Sequence, residues 1–242
     1  MRLGLASALG LALTLAAGVA RAEPVLTRKV ALDRVGLDFG WDPIWVLGVA
    51  YSRGWPGVLR GHDGRLGLRY EAPVSLWLGG GAWRLMASGT ALVLPHRSLG
   101  IATSIDTGVV RARDVTGDRT GWSLELGAQP GVFRWRWSAG LDLRWRTVPL
   151  VAVHPSAVVA ETFDDRYPEG TSGGTSGPRD GVLAFPSSTL LLGAVIGGRV
   201  LRRWGAYLRG GWAWQPQRQG VLSHPAIGQM PFYLQAGADL RW

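Results

Sequence analysis

The sequence predicts an all-β fold, an antiparallel up-and-down transmembrane β-barrel of about ten strands, and three observations carry that prediction. Most of the chain alternates apolar and polar residues with a period of two. Aromatic residues recur ten positions apart on the apolar face. The chain also opens on a pattern typical of exported proteins, and no later stretch has the 18 or so uncharged apolar residues of a membrane-spanning helix. The length of 242 residues suits one closed sheet. Apolar residues make up 47% of the chain and there are 13 Trp, which excludes intrinsic disorder. The 36 Gly follow no Gly-X-Y period, which excludes collagen. With no Cys, the chain has no disulfide, thiol nucleophile or Cys-ligated metal.

At the start, Met1 and Arg2 precede the apolar run Leu3 to Val19, and Ala20-Arg21-Ala22 stands before Glu23. A basic start, an apolar core and an A-x-A site predict a signal peptide over 1–22. Its removal takes Arg2 and Arg21 away and lowers the formal charge from +9 to +7. A basic exported chain, its only Lys being Lys29, points to an anionic neighbour and away from nucleic acid. Residues 23–36 are expected as a periplasmic N-terminal segment and 37–242 as the barrel.

The clearest alternation runs from Val132 to Arg146. Phe133, Trp135, Trp137, Ala139, Leu141, Leu143 and Trp145 share one face; Arg134, Arg136, Ser138, Gly140, Asp142, Arg144 and Arg146 share the other. Near the end of the chain Phe232, Leu234, Ala236, Ala238, Leu240 and Trp242 alternate with Tyr233, Gln235, Gly237, Asp239 and Arg241. Successive strand side chains point to opposite faces, so each stretch reads as a strand with one apolar and one polar side. Trp135 with Trp145, Phe232 with Trp242, Trp204 with Trp214 and Trp41 with Tyr51 are the pairs spaced by ten. Ten residues of a strand tilted by about 45° climb roughly 23 Å, close to the 25 Å or so between the aromatic girdles of an outer-membrane barrel.

The predicted strands are 41–51, 65–71, 74–83, 86–94, 98–111, 119–128, 132–146, 187–201, 205–215 and 231–242. Reading Gly79-Gly80-Gly81 as a bend inside one longer strand gives eight instead. Short inner turns are expected at 129–131 and 202–204. Outer connections are expected at 113–118, 154–186 and 215–230, the asymmetry usual in such barrels. The run Glu169 to Asp180, rich in Gly, Thr and Ser, reads as a polar spacer, with a mobile outer contact or lid as the functional alternative.

Parity places Arg69, Arg134, Arg136, Arg144, Arg146, Arg199, Arg209 and Arg241 on the inner face. Glu71, Asp106, Glu125, Asp142 and Asp239 join them, with Ile44 and Val46 as apolar company. A barrel of this size is largely filled by its own side chains, so an arginine–carboxylate network is expected. The alternative is a basic track for anions. His154, Asp164, Asp165, His224, Ser187 and Ser188 fall in or near outer loops, where a His beside a carboxylate could act as a general base. No spacing marks a nucleophile, the scattered His residues suggest no metal site, and no cofactor is implied.

The last eight residues, Gln235-Ala236-Gly237-Ala238-Asp239-Leu240-Arg241-Trp242, resemble the β-signal of bacterial outer-membrane barrels. Gln235, Gly237, Leu240 and Trp242 fill its defined places, with Trp where Phe is commoner. The resemblance implies residence in the outer membrane and recognition by the barrel-assembly machinery. Together these readings predict a small integral barrel with a structural or surface-interaction role, its basic rim touching lipopolysaccharide phosphates. A narrow anion-preferring pore is the alternative, and an outer-membrane hydrolase or lipid-modifying enzyme comes third. The oligomeric state is left open.

Overall fold

A computed structural model describes residues 33–41, 45–59, 62–74, 81–96, 98–114, 117–134, 136–159, 181–183, 187–214 and 232–242. The elements are β1 (Asp33–Trp41), β2 (Trp45–Leu59), β3 (His62–Pro73), β4 (Ala82–His96), β5 (Leu99–Asp114), β6 (Gly117–Phe133), β7 (Trp137–Pro155), β8 (Gly181–Leu183), β9 (Ser187–Arg199), β10 (Trp204–Trp214) and β11 (Phe232–Arg241). Each of the ten long strands pairs antiparallel with its neighbours in the chain. β1 pairs with β11, which closes the sheet into an up-and-down barrel. β8 lies outside the ring, paired with β7 alone at Val151 to Val153.

At the end of the barrel that carries Asp33 and Trp242, the strands are joined through 60–61, 97–98, 134–136 and 200–203. At the other end they are joined through 42–44, 74–81, 115–116, 156–186 and 215–231. Short turns therefore gather on the terminal rim and long connections on the far rim. The wall is uneven in height: β6 and β7 hold 17 and 19 residues, whereas β1 and β11 hold 9 and 10.

The strand number matches the expected ten, but the front half reaches it differently. β1 starts at Asp33, so 33–36 belong to the barrel and not to a preceding segment. Its alternation sets Val35, Leu37, Phe39 and Trp41 outward against Arg34, Gly36, Asp38 and Gly40. Of the strand expected over 74–83, residues 75–80 lie outside the described residues, and Ala82 and Trp83 open β4, which is one strand from Ala82 to His96. The turn expected at Gln129-Pro130-Gly131 lies instead at 134–136, and β6 runs through Pro130 to Phe133. Pro130 is accommodated where the β6–β7 ladder lapses between Ala128↔Leu143 and Gly131↔Gly140. Pro56, Pro95 and Pro149 each stand in a stretch where the register shifts, which is where a strand tolerates a residue without an N–H. The segment 1–32, with the expected signal peptide, lies outside the described residues.

Candidate functional site

The wall is one sheet thick and closed, and its buried charged side chains follow the parity that faces inward. That face is polar. Among the described residues, seven arginines (Arg34, Arg65, Arg69, Arg144, Arg146, Arg209 and Arg241) and six carboxylates (Asp38, Glu71, Asp106, Glu125, Asp142 and Asp239) are buried. They pair across strands. Glu125 on β6 takes Arg144 Nη1 at 3.1 Å on one oxygen and Arg146 Nε at 2.8 Å on the other. Arg144 Nε also meets Asp142 at 3.1 Å, and the Tyr233 hydroxyl donates to that carboxylate at 2.9 Å. The Arg144 guanidinium lies 5.0 Å from the centre of the Tyr233 ring, so β6, β7 and β11 share one charged cluster.

A second cluster joins β3, β4 and β5. Arg69 pairs with Glu71 and lies 3.9 Å from Asp106, and Arg84 reaches Glu71 at 3.5 Å. A third sits by the seam, where Arg241 and Arg34 share Asp239; the Arg34 contact is 3.6 Å. Arg209 donates to Gln235 Oε1 at 2.6 Å and Arg65 to Ser52 Oγ at 3.2 Å. Inward glycines make the room. A Cβ on Gly48 would run into the Asp38 carboxylate, and one on Gly237 into the Tyr207 ring. Part of the glycine content is thus space for long polar neighbours.

Of the arginines expected inside, Arg144, Arg146, Arg209 and Arg241 are there, as are Arg69, Glu125, Asp142 and Asp239. Arg134 and Arg136 are not. They lie in the β6–β7 turn and are exposed, because β6 continues to Phe133 before the chain reverses. Arg199 is likewise exposed, at the end of β9. Arg34 was missed because its strand was missed. Val46 shares the inward parity of Gly48 and Ala50 as expected, and Ile44 lies outside the described residues. One inner patch is apolar: Leu92, Ala102 and Phe133 pack together.

The outward face carries the apolar half of every strand. Leu37, Leu66, Leu85, Ile105, Leu126, Leu141, Ile196, Leu208 and Leu234 are all exposed, Leu66 to 60%. Trp145, Trp204, Trp214, Phe232 and Trp242 are exposed outward as expected. Trp41 and Tyr51 do not share a strand, since Trp41 ends β1 and Tyr51 lies within β2 opposite Val35. Trp45 and Trp55 are the exposed pair spaced by ten on β2. On β7 the exposed pair is Trp137 and Trp145; Trp135 lies outside the described residues. Toward the far rim Phe39 stacks on Trp45 at 5.0 Å, and Trp41 meets Trp45 at 5.6 Å and Phe232 at 6.4 Å.

The four residues that carry the β-signal resemblance each have a structural place. Gln235 accepts from Arg209, Gly237 admits the Tyr207 ring, and Leu240 faces outward between Val35 and Trp204. The Trp242 and Asp33 backbones exchange two hydrogen bonds of 3.2 Å, the last rung of the β1–β11 seam.

Of the groups considered for catalysis, the described ones stand apart along β7 and β9. His154 is exposed at the far rim, whereas Ser188 donates to Thr147 Oγ1 at 3.4 Å. Asp164, Asp165 and His224 lie outside the described residues. Among the described residues no group of three His or carboxylate side chains could hold a metal. Beyond the apolar belt, Arg111 Nε donates to both oxygens of Asp118, at 2.9 and 3.1 Å, and holds that carboxyl below its ordinary range. Neither a scan against protein-family models nor a search of curated proteins returns a match for this chain.

Proposed function

We propose that this chain is a small integral β-barrel of a bacterial outer membrane with a structural or surface-interaction role, its interior filled by paired charges. One observation carries the reading. The barrel is built inside out relative to a water-soluble protein, with ion pairs within and an apolar, uncovered surface around the whole ring. In water such a surface favours association, because roughly 25 cal/mol is gained per Å² of apolar area removed from solvent; in a bilayer it is already satisfied. Alternating apolar-out and polar-in strands are the usual solution for a barrel in lipid.

The charge balance separates this reading from an anion pore. An anion track needs guanidiniums that are both accessible and in excess. Here Arg34 and Arg69 are 1% exposed, and Glu125 and Asp142 no more than 2%. Among the described residues, the seven buried arginines are also nearly matched in number by six buried carboxylates. Such packing favours a stiff plug of paired side chains over a conduit.

The test is to refold the chain in detergent, follow heat-modifiable migration, and then record current in a planar bilayer under a salt gradient. Heat-modifiable folding with stable insertion and no steady current is the expected result. Discrete anion-selective openings that fall when Arg144 becomes Ala would replace this reading with the pore. A chain that stays soluble and monomeric without detergent would end the membrane reading altogether.

A further inference from the structure

Three arginines expected inside, Arg134, Arg136 and Arg199, lie instead beside the turn arginines Arg202 and Arg203. Arg134 and Arg136 sit in the β6–β7 turn, and Arg199, Arg202 and Arg203 at the β9–β10 connection. All five are exposed. β7 and β9 are paired neighbours, with Trp137 opposite Gly198, so the two turns stand side by side on the terminal rim. The Arg199 N–H donates to the Arg136 carbonyl at 2.6 Å and ties one turn to the other.

The turns share a design. The Arg134 N–H donates to the Trp137 carbonyl at 2.8 Å, which closes the β6–β7 hairpin around Arg136. Leu201 and Trp204 exchange N–H to carbonyl bonds of 3.2 and 3.3 Å, which closes another with Arg202 and Arg203 at its tip. Each hairpin leads into a strand whose first residue is an exposed Trp, Trp137 or Trp204. Val200 and Leu201 beside them are 67% and 63% exposed. Exposed Trp and the apolar pair Val200 and Leu201 thus stand at the level of the turns that carry the five arginines. Neither turn contains an Asp or Glu. The seam carboxylates Asp239 and Asp33 are engaged, the first with Arg241 and the second with the Tyr51 hydroxyl.

Resting on the reading of the chain as an integral barrel, we infer that this five-arginine turn pair binds the phosphate headgroups of anionic glycerophospholipids in the leaflet at the terminal rim. Exposed Trp at the edge of an apolar wall sits at headgroup level, which places the turn tips among the phosphates. Guanidiniums bind phosphate oxygens through paired N–H groups, and their stems lie along apolar surface while the charged ends stay in the polar layer. The far rim also carries exposed basic residues, but Arg111 there is already committed to Asp118.

The experiment takes the refolded chain in detergent with an equimolar mixture of phosphatidylcholine and phosphatidylglycerol into native mass spectrometry. Phosphatidylglycerol should be retained in preference. The variant R134Q/R136Q/R199Q/R202Q/R203Q should lose that preference by about tenfold or more, given the contribution of each arginine near an anionic surface. The far-rim variant R111Q/R113Q/R119Q should keep it. If the five-site variant does not fold, the pairs R134Q/R136Q and R202Q/R203Q are read instead, each expected to lower the preference. An unchanged preference in these variants, or an equal loss in the far-rim variant, overturns the inference. Stronger retention of lipopolysaccharide through the same arginines overturns the assignment to phospholipid. A wild-type chain with no heat-modifiable migration overturns the integral-barrel reading, and this inference with it.

Discussion

Glu125 has two carboxylate oxygens and a separate arginine on each, with Arg144 at 3.1 Å and Arg146 at 2.8 Å. The three side chains are almost fully buried, so truncating the glutamate takes a carboxylate from two guanidiniums that little solvent reaches. Breaking a buried pair in this way costs about 3–5 kcal/mol, well above the cost of losing a surface pair. Glu125→Ala is therefore expected to lower the urea midpoint of the detergent-refolded barrel markedly, and Glu125→Gln, which keeps one acceptor, to lower it less. Matching midpoints for Glu125→Ala and wild type would show that the pairing does not hold the interior together. The pairing was partly legible in the sequence, because parity sets Glu125, Asp142, Arg144 and Arg146 on one face. Which carboxylate meets which arginine depends on register, and alternation along one strand carries no register. Tyr233 shows the gap: it stands on the polar side of its strand, yet nothing local indicates that its hydroxyl reaches Asp142 on β7.

Individual strands follow the period of two, and most of what the sequence hid lies where a strand turns. At the β6–β7 hairpin the apolar face switches from even positions (Trp122, Leu124, Leu126) to odd ones (Trp137, Leu141, Trp145). Phe133 obscures the switch. It is an apolar residue on the inward side, packed on Leu92 and Ala102, and it extends the odd-numbered pattern backwards past the true turn. The reading of 132–146 as one strand followed, and with it the placing of Arg134 and Arg136 inside. β1 escaped for a different reason: its inward residues include Gly36 and Gly40, which give little alternating contrast. Where the contrast is strong, as on β10 and β11, the strands fall within a residue or two of expectation. The outward face is open to a direct test. Leu208 is exposed on β10 between Trp204 and Trp212, opposite Ala236 and Ile196. A charge at such a midplane position costs about 2–4 kcal/mol in a lipid-embedded barrel, so Leu208→Arg should reduce folding into vesicles by that amount. No effect on folding would mean that lipid does not cover this face.

For the whole molecule, closure depends on one joint. The β1–β11 seam runs from Arg34 opposite Arg241 to Trp41 opposite Leu234, and the paired backbones of Asp33 and Trp242 finish it. Deleting Trp242 removes both of those hydrogen bonds and an exposed aromatic side chain, so the truncated chain should assemble poorly and lose much of its heat-modifiable form. Normal migration of the truncated chain would show that the seam closes without its last rung. The seam strands are also the shortest in the ring, and that has a consequence for the surroundings. Nine residues of β1 climb roughly 21 Å at about 2.3 Å each, less than the 25 Å or so of an ordinary outer-membrane apolar band. A cylinder with one low side must lean toward that side or draw the hydrocarbon layer thin beside it, at a fraction of a kcal/mol per Å of mismatch. If the proposed membrane reading holds, the barrel carries a compass heading in the plane of the bilayer. In the proposed membrane setting, lipids with shorter tails, and neighbours with low walls of their own, are expected to gather where β1 and β11 meet.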